Sequence, residues 1–238
     1  MAPIRTTLII LLVSTLAISA CTSLSQNQTA QTSSEETQGP LLNSERIRQK
    51  FGSYGIAVVQ ESEELRVSNL YSVEGGKKIT RTLAVVFYPA TIPPIMLAEH
   101  EKIKSGQSIG EVFKRNGWKI GKQNVYFGEI DASPDYEGVY SSMGESNEVN
   151  LALHIYQLIV AKDGRQYRYV TIAEVHHPDY LDSALLREIN NAQITESELN
   201  KESIQSILDA VAKVMKNYKQ GVSLPCSQKA EGGFTRRH

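Results

Sequence analysis

One short segment of the chain concentrates side chains suited to acid–base or metal chemistry. Residues 174–179 contain Glu174, His176 and Asp179, and on an extended strand Glu174 and His176 share one face. A carboxylate and an imidazole at this spacing can share a proton or bind a metal ion with Asp179, although a zinc site needs a further ligand such as the distant His154. The alternative is structural: a strand end followed by a helix whose first turn Asp179 and Asp182 stabilise.

Two other segments resemble catalytic motifs but lack the context that those motifs require. Residues 106–110 match G-x-S-x-G, the nucleophile motif of α/β-hydrolases, in which a buried strand precedes the serine. Here the preceding residues are polar and helical in pattern, so we expect Ser108 and Glu111 to form a helix capping box. His100 begins an H-E-x-x-H pattern, but Lys104 stands at the second histidine position, which excludes a two-histidine zinc site there.

The elements that position these residues are predicted mainly as hairpins. Apolar and polar residues alternate through 65–87 around a Gly-Gly pair, and through 149–176 around an Asp-Gly pair. Both pairs suit tight two-residue turns, because glycine and aspartate tolerate the positive φ angles that such turns require. If the Asp-Gly turn alone sets the register of the second hairpin, Leu153 lies opposite Glu174.

The predicted order of helices and strands indicates an α+β fold. We expect a mostly antiparallel sheet of about six strands built from hairpins, with helices packed on it and a long C-terminal helix. That last helix spans about 196–219 and places its apolar residues on one stripe, which needs a sheet to cover it. Shorter helices are predicted at 44–52, 95–104, 109–116 and 179–190.

The stretch 131–148 is predicted as a long loop that contains Tyr136 and Tyr140. Loops of this length in compact domains are often either functional or disordered. The two tyrosines combine a large contact area with a polar tip, so they are candidates for contacting a partner protein. The alternative is a solvated loop without a partner.

The N-terminal residues carry the strongest signal of location. The apolar run 8–18 spans about 11 residues, and at ~1.5 Å of rise per residue it falls far short of a ~30 Å bilayer core. It ends in Ile18-Ser19-Ala20-Cys21, which resembles the lipobox of bacterial lipoprotein precursors. The resemblance implies that the Cys21 thiol receives a diacylglycerol and that residues 1–20 are removed as a signal peptide. The alternative is an ordinary secretory signal that is cut near Ala20.

This resemblance also implies how the mature protein is held. Two or three acyl chains, such as palmitate, on Cys21 anchor a protein stably at a membrane without spanning it. Thr22 stands where an aspartate retains Gram-negative lipoproteins at the inner membrane, so the outer membrane is implied, with the domain facing the periplasm. Residues 21–40 are rich in Ser, Thr and Gln, which predicts a flexible tether before a single globular domain at 41–220 and a flexible tail at 221–238.

Composition limits the partners that the protein can have. The chain has 25 basic and 26 acidic residues, and removal of residues 1–20 takes away only Arg5. A chain so close to neutral lacks the positive charge that nucleic-acid binding requires. Cys226 has no cysteine partner in the chain if Cys21 is acylated, so a free thiol is expected, and the alternative is a disulfide with another molecule.

The sequence leaves three functions open. The first is a non-catalytic envelope lipoprotein that binds another envelope protein and uses no cofactor. The second is a domain that binds a small ligand in a cleft between sheet and helices, lined by Trp118, Tyr156, Tyr167 or Tyr169. The third is metal-assisted hydrolysis by the acid–base residues of segment 174–179.

Overall fold

An antiparallel sheet forms the centre of the computed structural model, which describes residues 41–191 and 199–219. Its strands are β1 Gly55–Glu61, β2 Leu65–Glu74, β3 Lys77–Phe87, β4 Lys119–Ile130, β5 Leu151–Lys162 and β6 Arg165–His176. The spatial order is β1-β2-β3-β6-β5-β4, so neighbouring strands are consecutive in the chain except for β3 and β6.

Helices cover both faces of this sheet. The described helices are α1 Asn43–Phe51, α2 Leu97–Lys104, α3 Ile109–Arg115, α4 Glu137–Met143, α5 Ser183–Ile189 and α6 Lys201–Lys216. Two short 3-10 turns, Pro94–Met96 and Pro134–Tyr136, precede α2 and α4. The predicted α+β fold, with an antiparallel sheet, helices packed on it and a C-terminal helix as its longest, is therefore confirmed. No helix in the described ranges is long and apolar enough to cross a membrane.

The two faces of the sheet bury different side chains. On one face, valines and leucines such as Leu83, Leu153 and Val175 pack against α4 and α6 in an apolar core. The opposite face is covered by α1, α2, α3 and α5, and there the core is divided into two smaller apolar clusters. Several buried polar side chains lie on this second face, including Arg66 and Glu174. The second face therefore carries buried polar side chains that could take part in chemistry.

Both predicted hairpins are present, with turns that use positive φ angles. Gly75 and Gly76 have φ of 54° and 80°, and Asp163 and Gly164 have φ of 51° and 74°. Two successive residues with positive φ are the signature of a type I′ turn, whose twist matches that of the strands it joins. The turn residues in the sequence therefore identified both hairpins.

The register of the second hairpin differs from the prediction. The turn fixes the pairing as far as Ile159 opposite Arg168, but Tyr169 is then an unpaired bulge residue that shifts all later pairs by one position. The prediction that Leu153 faces Glu174 is therefore wrong, and His154 stands opposite Glu174 instead. This single extra residue brings a histidine and a glutamate to the same face of the sheet.

The stretch 131–148 is not the long loop that we predict from its sequence. It contains a 3-10 turn and helix α4, whose buried residues Val139, Tyr140 and Met143 recur at helical spacing and pack under α6. Gly138 allows the close contact, because a Cβ on it would lie 2.4 Å from the carbonyl oxygen of Tyr218. The many polar residues around these three side chains conceal the helical pattern in the sequence.

Candidate functional site

A cluster of buried polar side chains lies beneath α1, centred on Glu174 of β6. The bulge at Tyr169 places His154 of β5 directly opposite Glu174, while strand alternation places His176 on the same face two residues along. Helix α1 contributes Asn43 from above. The sequence therefore identified Glu174 and His176 as neighbours and treated His154 as distant, whereas the fold brings all three into one region.

Glu174 is held by three different partners. One carboxylate oxygen accepts hydrogen bonds from Asn43 Nδ2 at 3.0 Å and from the Tyr156 hydroxyl at 3.1 Å. The other oxygen lies 3.6 Å from Lys122 Nζ, in an ion pair whose side chains are 5% and 19% exposed. A buried carboxylate needs such partners, because an unpaired charge away from water is strongly unfavourable.

His176 completes the cluster without bonding to Glu174. Its Nδ1 lies 3.1 Å from the Thr82 hydroxyl, which itself accepts a hydrogen bond from Asn43 Nδ2 at 3.2 Å. The Thr82 hydroxyl and Nδ1 therefore share one hydrogen bond, whose direction depends on which ring nitrogen carries the proton. The Nε2 of His176 is buried and has no hydrogen-bond partner among the described residues, and Glu174 Oε2 is 3.9 Å away.

Burial and charge set the protonation states of the cluster. Burial alone raises the pKa of the Glu174 carboxyl, but Lys122 and the hydrogen bond from Asn43 outweigh it and lower the pKa to about 2. Burial lowers the pKa of His176 to about 4, and burial together with the charge of Lys122 lowers that of His154 to about 2. At neutral pH the carboxylate is ionised and both imidazoles are neutral.

A small cavity adjoins this cluster. Its volume is about 80 Å³, which is room for roughly two water molecules at ~30 Å³ each. It runs from Glu174 and Lys122 to Arg66, and its walls are mainly apolar. The Arg66 guanidinium is engaged in hydrogen bonds at the end of α2. It donates to the carbonyl oxygens of Ile103 at 2.6 Å and Gln107 at 3.1 Å. The cavity is small compared with the ~300–1,000 Å³ typical of small-molecule sites.

Asp179, the third predicted site residue, belongs to a different cluster. Its carboxylate lies with Glu145 and His177, and one ligand atom from each falls within 4.8 Å of the others. Yet His177 Nδ1 accepts the backbone N–H of Asp179 at 3.0 Å, and its Nε2 lies 3.0 Å from the carbonyl oxygen of Met143. Arg81 Nη1 is 3.2 Å from the same Nε2. With both nitrogens engaged and a guanidinium at the ring, a metal cation is disfavoured here.

The aspartates predicted to stabilise the first turn of the following helix do not both do so. Helix α5 begins at Ser183, and Asp182 caps it by accepting the Leu185 N–H at 2.8 Å. Asp179 lies before this helix and outside its first turn. Of the two aspartates predicted to stabilise this turn, Asp182 does so and Asp179 does not.

The two tyrosines proposed for partner contact lie against the apolar core. Tyr140 is 1% exposed, and its hydroxyl donates to the carbonyl oxygen of Val149 at 2.7 Å. Tyr136 is half-buried and packs against the same core. Tyr140 therefore contributes to packing rather than to an exposed binding loop.

The proposed aromatic cleft is filled by its own side chains. Trp118, Tyr156 and Tyr169 are 3%, 3% and 0% exposed. The Phe113 ring packs edge-on against Trp118 and Tyr169, at centroid distances of 5.5 and 4.9 Å. Trp118, Tyr169 and the partly buried Tyr167 belong to the core beneath α2 and α3, while Tyr156 serves the Glu174 cluster. Tyr156 lines the cavity beside Glu174, between the sheet and α1, whereas Trp118, Tyr167 and Tyr169 pack in the neighbouring core.

The serine of the G-x-S-x-G segment follows helix α2 rather than a strand, and it does not form the predicted capping box. Ser108 precedes α3 at the capping position, but its side chain makes no capping hydrogen bond. It interacts with the Tyr54 hydroxyl instead, and Glu111 lies 3.7 Å from Arg48. The predicted capping box is therefore wrong. The reciprocal glutamate bond occurs in α1, where Glu45 accepts the Leu42 N–H at 2.7 Å.

Sequence reasoning missed several members of the Glu174 cluster. Thr82 lies in the other hairpin, Lys122 lies in β4 and Asn43 lies in α1, so no local spacing connects them with Glu174. In the sequence, Lys122 and Thr82 are marked only as polar residues within stretches where apolar and polar residues alternate. That signal is too weak to single them out.

Comparison with known proteins adds little to this description. No model of a known protein family matches the chain, and no curated protein matches it. Among solved structures, a transcriptional regulator of the GntR family from Bacillus cereus is similar at 13% sequence identity and a TM-score of 0.31. The match covers 62% of this chain and 94% of that one.

Proposed function

We propose that this chain is a lipid-anchored protein of the bacterial envelope, held at the outer membrane, whose α+β domain binds another envelope component. The observation that carries this proposal is the sequence Ile18-Ser19-Ala20-Cys21 at the end of a short apolar run. Acyl chains on Cys21 keep the domain at the bilayer surface.

The geometry of the domain favours binding over catalysis. The side chains best suited to acid–base work are tied into its packing: Glu174 is neutralised by Lys122, and His177 uses both ring nitrogens. A general base must reach a proton on a bound substrate. The cavity beside Glu174, at about 80 Å³, is well below the ~300–1,000 Å³ typical of small-molecule sites.

Metabolic labelling tests the anchor. Cells that express the full chain and grow on labelled palmitate should incorporate label into the protein, and Cys21→Ser should abolish both the label and recovery with the membrane fraction. Cys226→Ser is the matched control, because it removes the other cysteine and should leave labelling unchanged. Equal labelling of the Cys21→Ser variant and the parent would overturn the proposal.

The choice of membrane is tested separately. Thr22→Asp introduces the residue that retains Gram-negative lipoproteins at the inner membrane, so it should move the acylated protein from outer to inner membrane fractions. Thr22→Ser is the control. An acylated protein that already fractionates with the inner membrane would leave the anchor standing and refute the outer-membrane location.

A further inference from the structure

A second open space lies on the other face of the sheet, between α6 and the strands nearest its C-terminal half. We call it the α6 groove. Its volume is about 580 Å³, and its floor and walls include Val59, Val67, Phe87 and Val214. This volume falls within the ~300–1,000 Å³ typical of small-molecule sites. Unlike the cavity beside Glu174, the groove is large enough to take a ligand.

The groove is apolar within and carries positive charge on the α6 side of its rim. Lys213 and Lys219 line it and are both exposed. Neither ammonium has a carboxylate within ion-pair distance among the residues that the structure describes. Glu64, on the opposite rim, is the acid that lines the groove. By contrast, the neighbouring Lys216 is paired with Asp135 at 2.8 Å on another face of the helix.

We propose that the α6 groove binds a single-chain amphiphile with an anionic head, of the fatty-acid class. The apolar floor buries the chain, and the carboxylate lies against Lys213 and Lys219, whose ammonium groups are free to pair with it. A wholly polar ligand would leave the valines and the phenylalanine uncovered, while a neutral hydrocarbon would leave the two lysines without a partner.

This inference deepens the proposed binding role by naming the ligand, and it does not depend on the anchor. The probe is a 16-carbon fatty acid with a photoreactive diazirine in its chain, added to membranes that contain the full protein. After irradiation, labelled peptides are mapped by mass spectrometry. We expect label in β1, β2 and the second half of α6. In the same samples, the mass of the N-terminal peptide reports acylation of Cys21, so failure of the groove and failure of the anchor are read separately.

Three variants and one control sharpen this test. The double charge reversal Lys213→Glu/Lys219→Glu should reduce labelling of the groove at least fivefold, and Val214→Trp should block it by filling the groove. Lys201→Glu reverses a single charge at the other end of α6, on an exposed residue outside the groove, and should leave labelling unchanged; the matching single reversal in the groove is Lys213→Glu, which should reduce it. Unaltered circular dichroism spectra and melting temperatures would show that each variant is folded.

Competition by unmodified ligands identifies which parts of the ligand the groove recognises. Fatty acids of 10 to 16 carbons should displace the probe, with about fourfold tighter binding for each added methylene until the groove is full. The corresponding alcohols should compete at least tenfold less well. Equal competition by alcohols, or label spread evenly over the surface, overturns the proposal. So does label that enters the groove only after removal of residues 220–238, because the chain's own C-terminal segment would then be the occupant.

Discussion

Glu174 and Lys122 form an ion pair in which the carboxylate is buried and the lysine is 19% exposed. Transfer of two charges into the interior is unfavourable, and their attraction compensates only when hydrogen bonds satisfy the remaining lone pairs. Asn43 and Tyr156 supply two such bonds to the carboxylate. The pair is therefore a strict structural requirement: loss of either partner leaves a buried charge, whereas loss of both does not.

Removal of the lysine alone should be far more damaging than removal of the pair. We expect Lys122→Met to lower the free energy of unfolding by about 3–5 kcal/mol, because an uncompensated carboxylate remains buried. The double variant Lys122→Met/Glu174→Gln should recover at least about 1 kcal/mol of that loss. Urea unfolding of the parent, the two single variants and the double variant measures the coupling. Strict additivity would show that the two side chains do not interact.

Bulges are the feature of the strands that most affects the site. Four strands each carry one, at Val59, Arg81, Val125 and Tyr169. Two of these lie in the edge strands β1 and β4, where a bulge interrupts the row of free N–H and C=O groups that another chain could pair with. The bulge at Tyr169 affects the candidate site, since it determines which residue of β5 lies opposite Glu174.

The contact between α4 and the end of α6 should not tolerate a methyl group. Alanine is favoured over glycine in a helix by about 1 kcal/mol, but a Cβ on Gly138 would lie 2.4 Å from a backbone oxygen, which cannot rotate away. Overpacking of this kind costs about 1–3 kcal/mol. We therefore expect Gly138→Ala to lower the melting temperature and to speed hydrogen exchange in α4.

Gly121→Ala is the matched control for this prediction. A Cβ at Gly121 meets its nearest neighbour at 4.0 Å, which is ordinary contact. The change should alter the free energy of unfolding by less than about 0.5 kcal/mol. If Gly138→Ala proves as mild as Gly121→Ala, the close approach of the two helices is not a constraint on the fold.

Alternation and turn chemistry predict most of the sheet, because they act between residues close in sequence. The Gly-Gly and Asp-Gly pairs located both hairpins for that reason. A bulge adds one residue without a compositional mark, so the register beyond Tyr169 was not predictable. The Glu174 cluster was only half predictable for a related reason: Glu174 and His176 are neighbours in sequence, while Asn43 and Lys122 reach them only through tertiary packing.

The two cores of the domain lie on opposite faces of one sheet. The apolar face beneath α4 and α6 contains the larger core, while the polar cluster lies on the face beneath α1. The strands of the sheet contribute side chains to both faces, so destabilisation of the cluster is felt by the entire domain. The protonation of a few buried groups can therefore control global stability.

Acid should destabilise the whole domain well above the ordinary pKa of a carboxylate. Burial lowers the pKa of His176 from 6.5 to about 4, so the unfolded chain binds a proton that the folded protein resists. This contribution is fully present above pH 6.5 and is lost as the pH falls, by about 3 kcal/mol at pH 4. His154 adds a similar loss, and Glu174, whose folded pKa is about 2, adds its own below pH 4.5.

Replacement of His176 shows how much this imidazole contributes to the loss of stability at acid pH. His176→Gln keeps a polar group near Thr82 but cannot take up a proton. Its free energy of unfolding, measured with urea in half-unit steps from pH 7.5 to pH 4.5, should therefore fall less steeply below pH 6.5 than that of the parent. The difference in free energy of unfolding between parent and variant should change as the pH is lowered, because the parent alone has His176 to protonate on unfolding. Parallel curves would mean that His176 has the same pKa folded and unfolded, and that it does not contribute to the acid response.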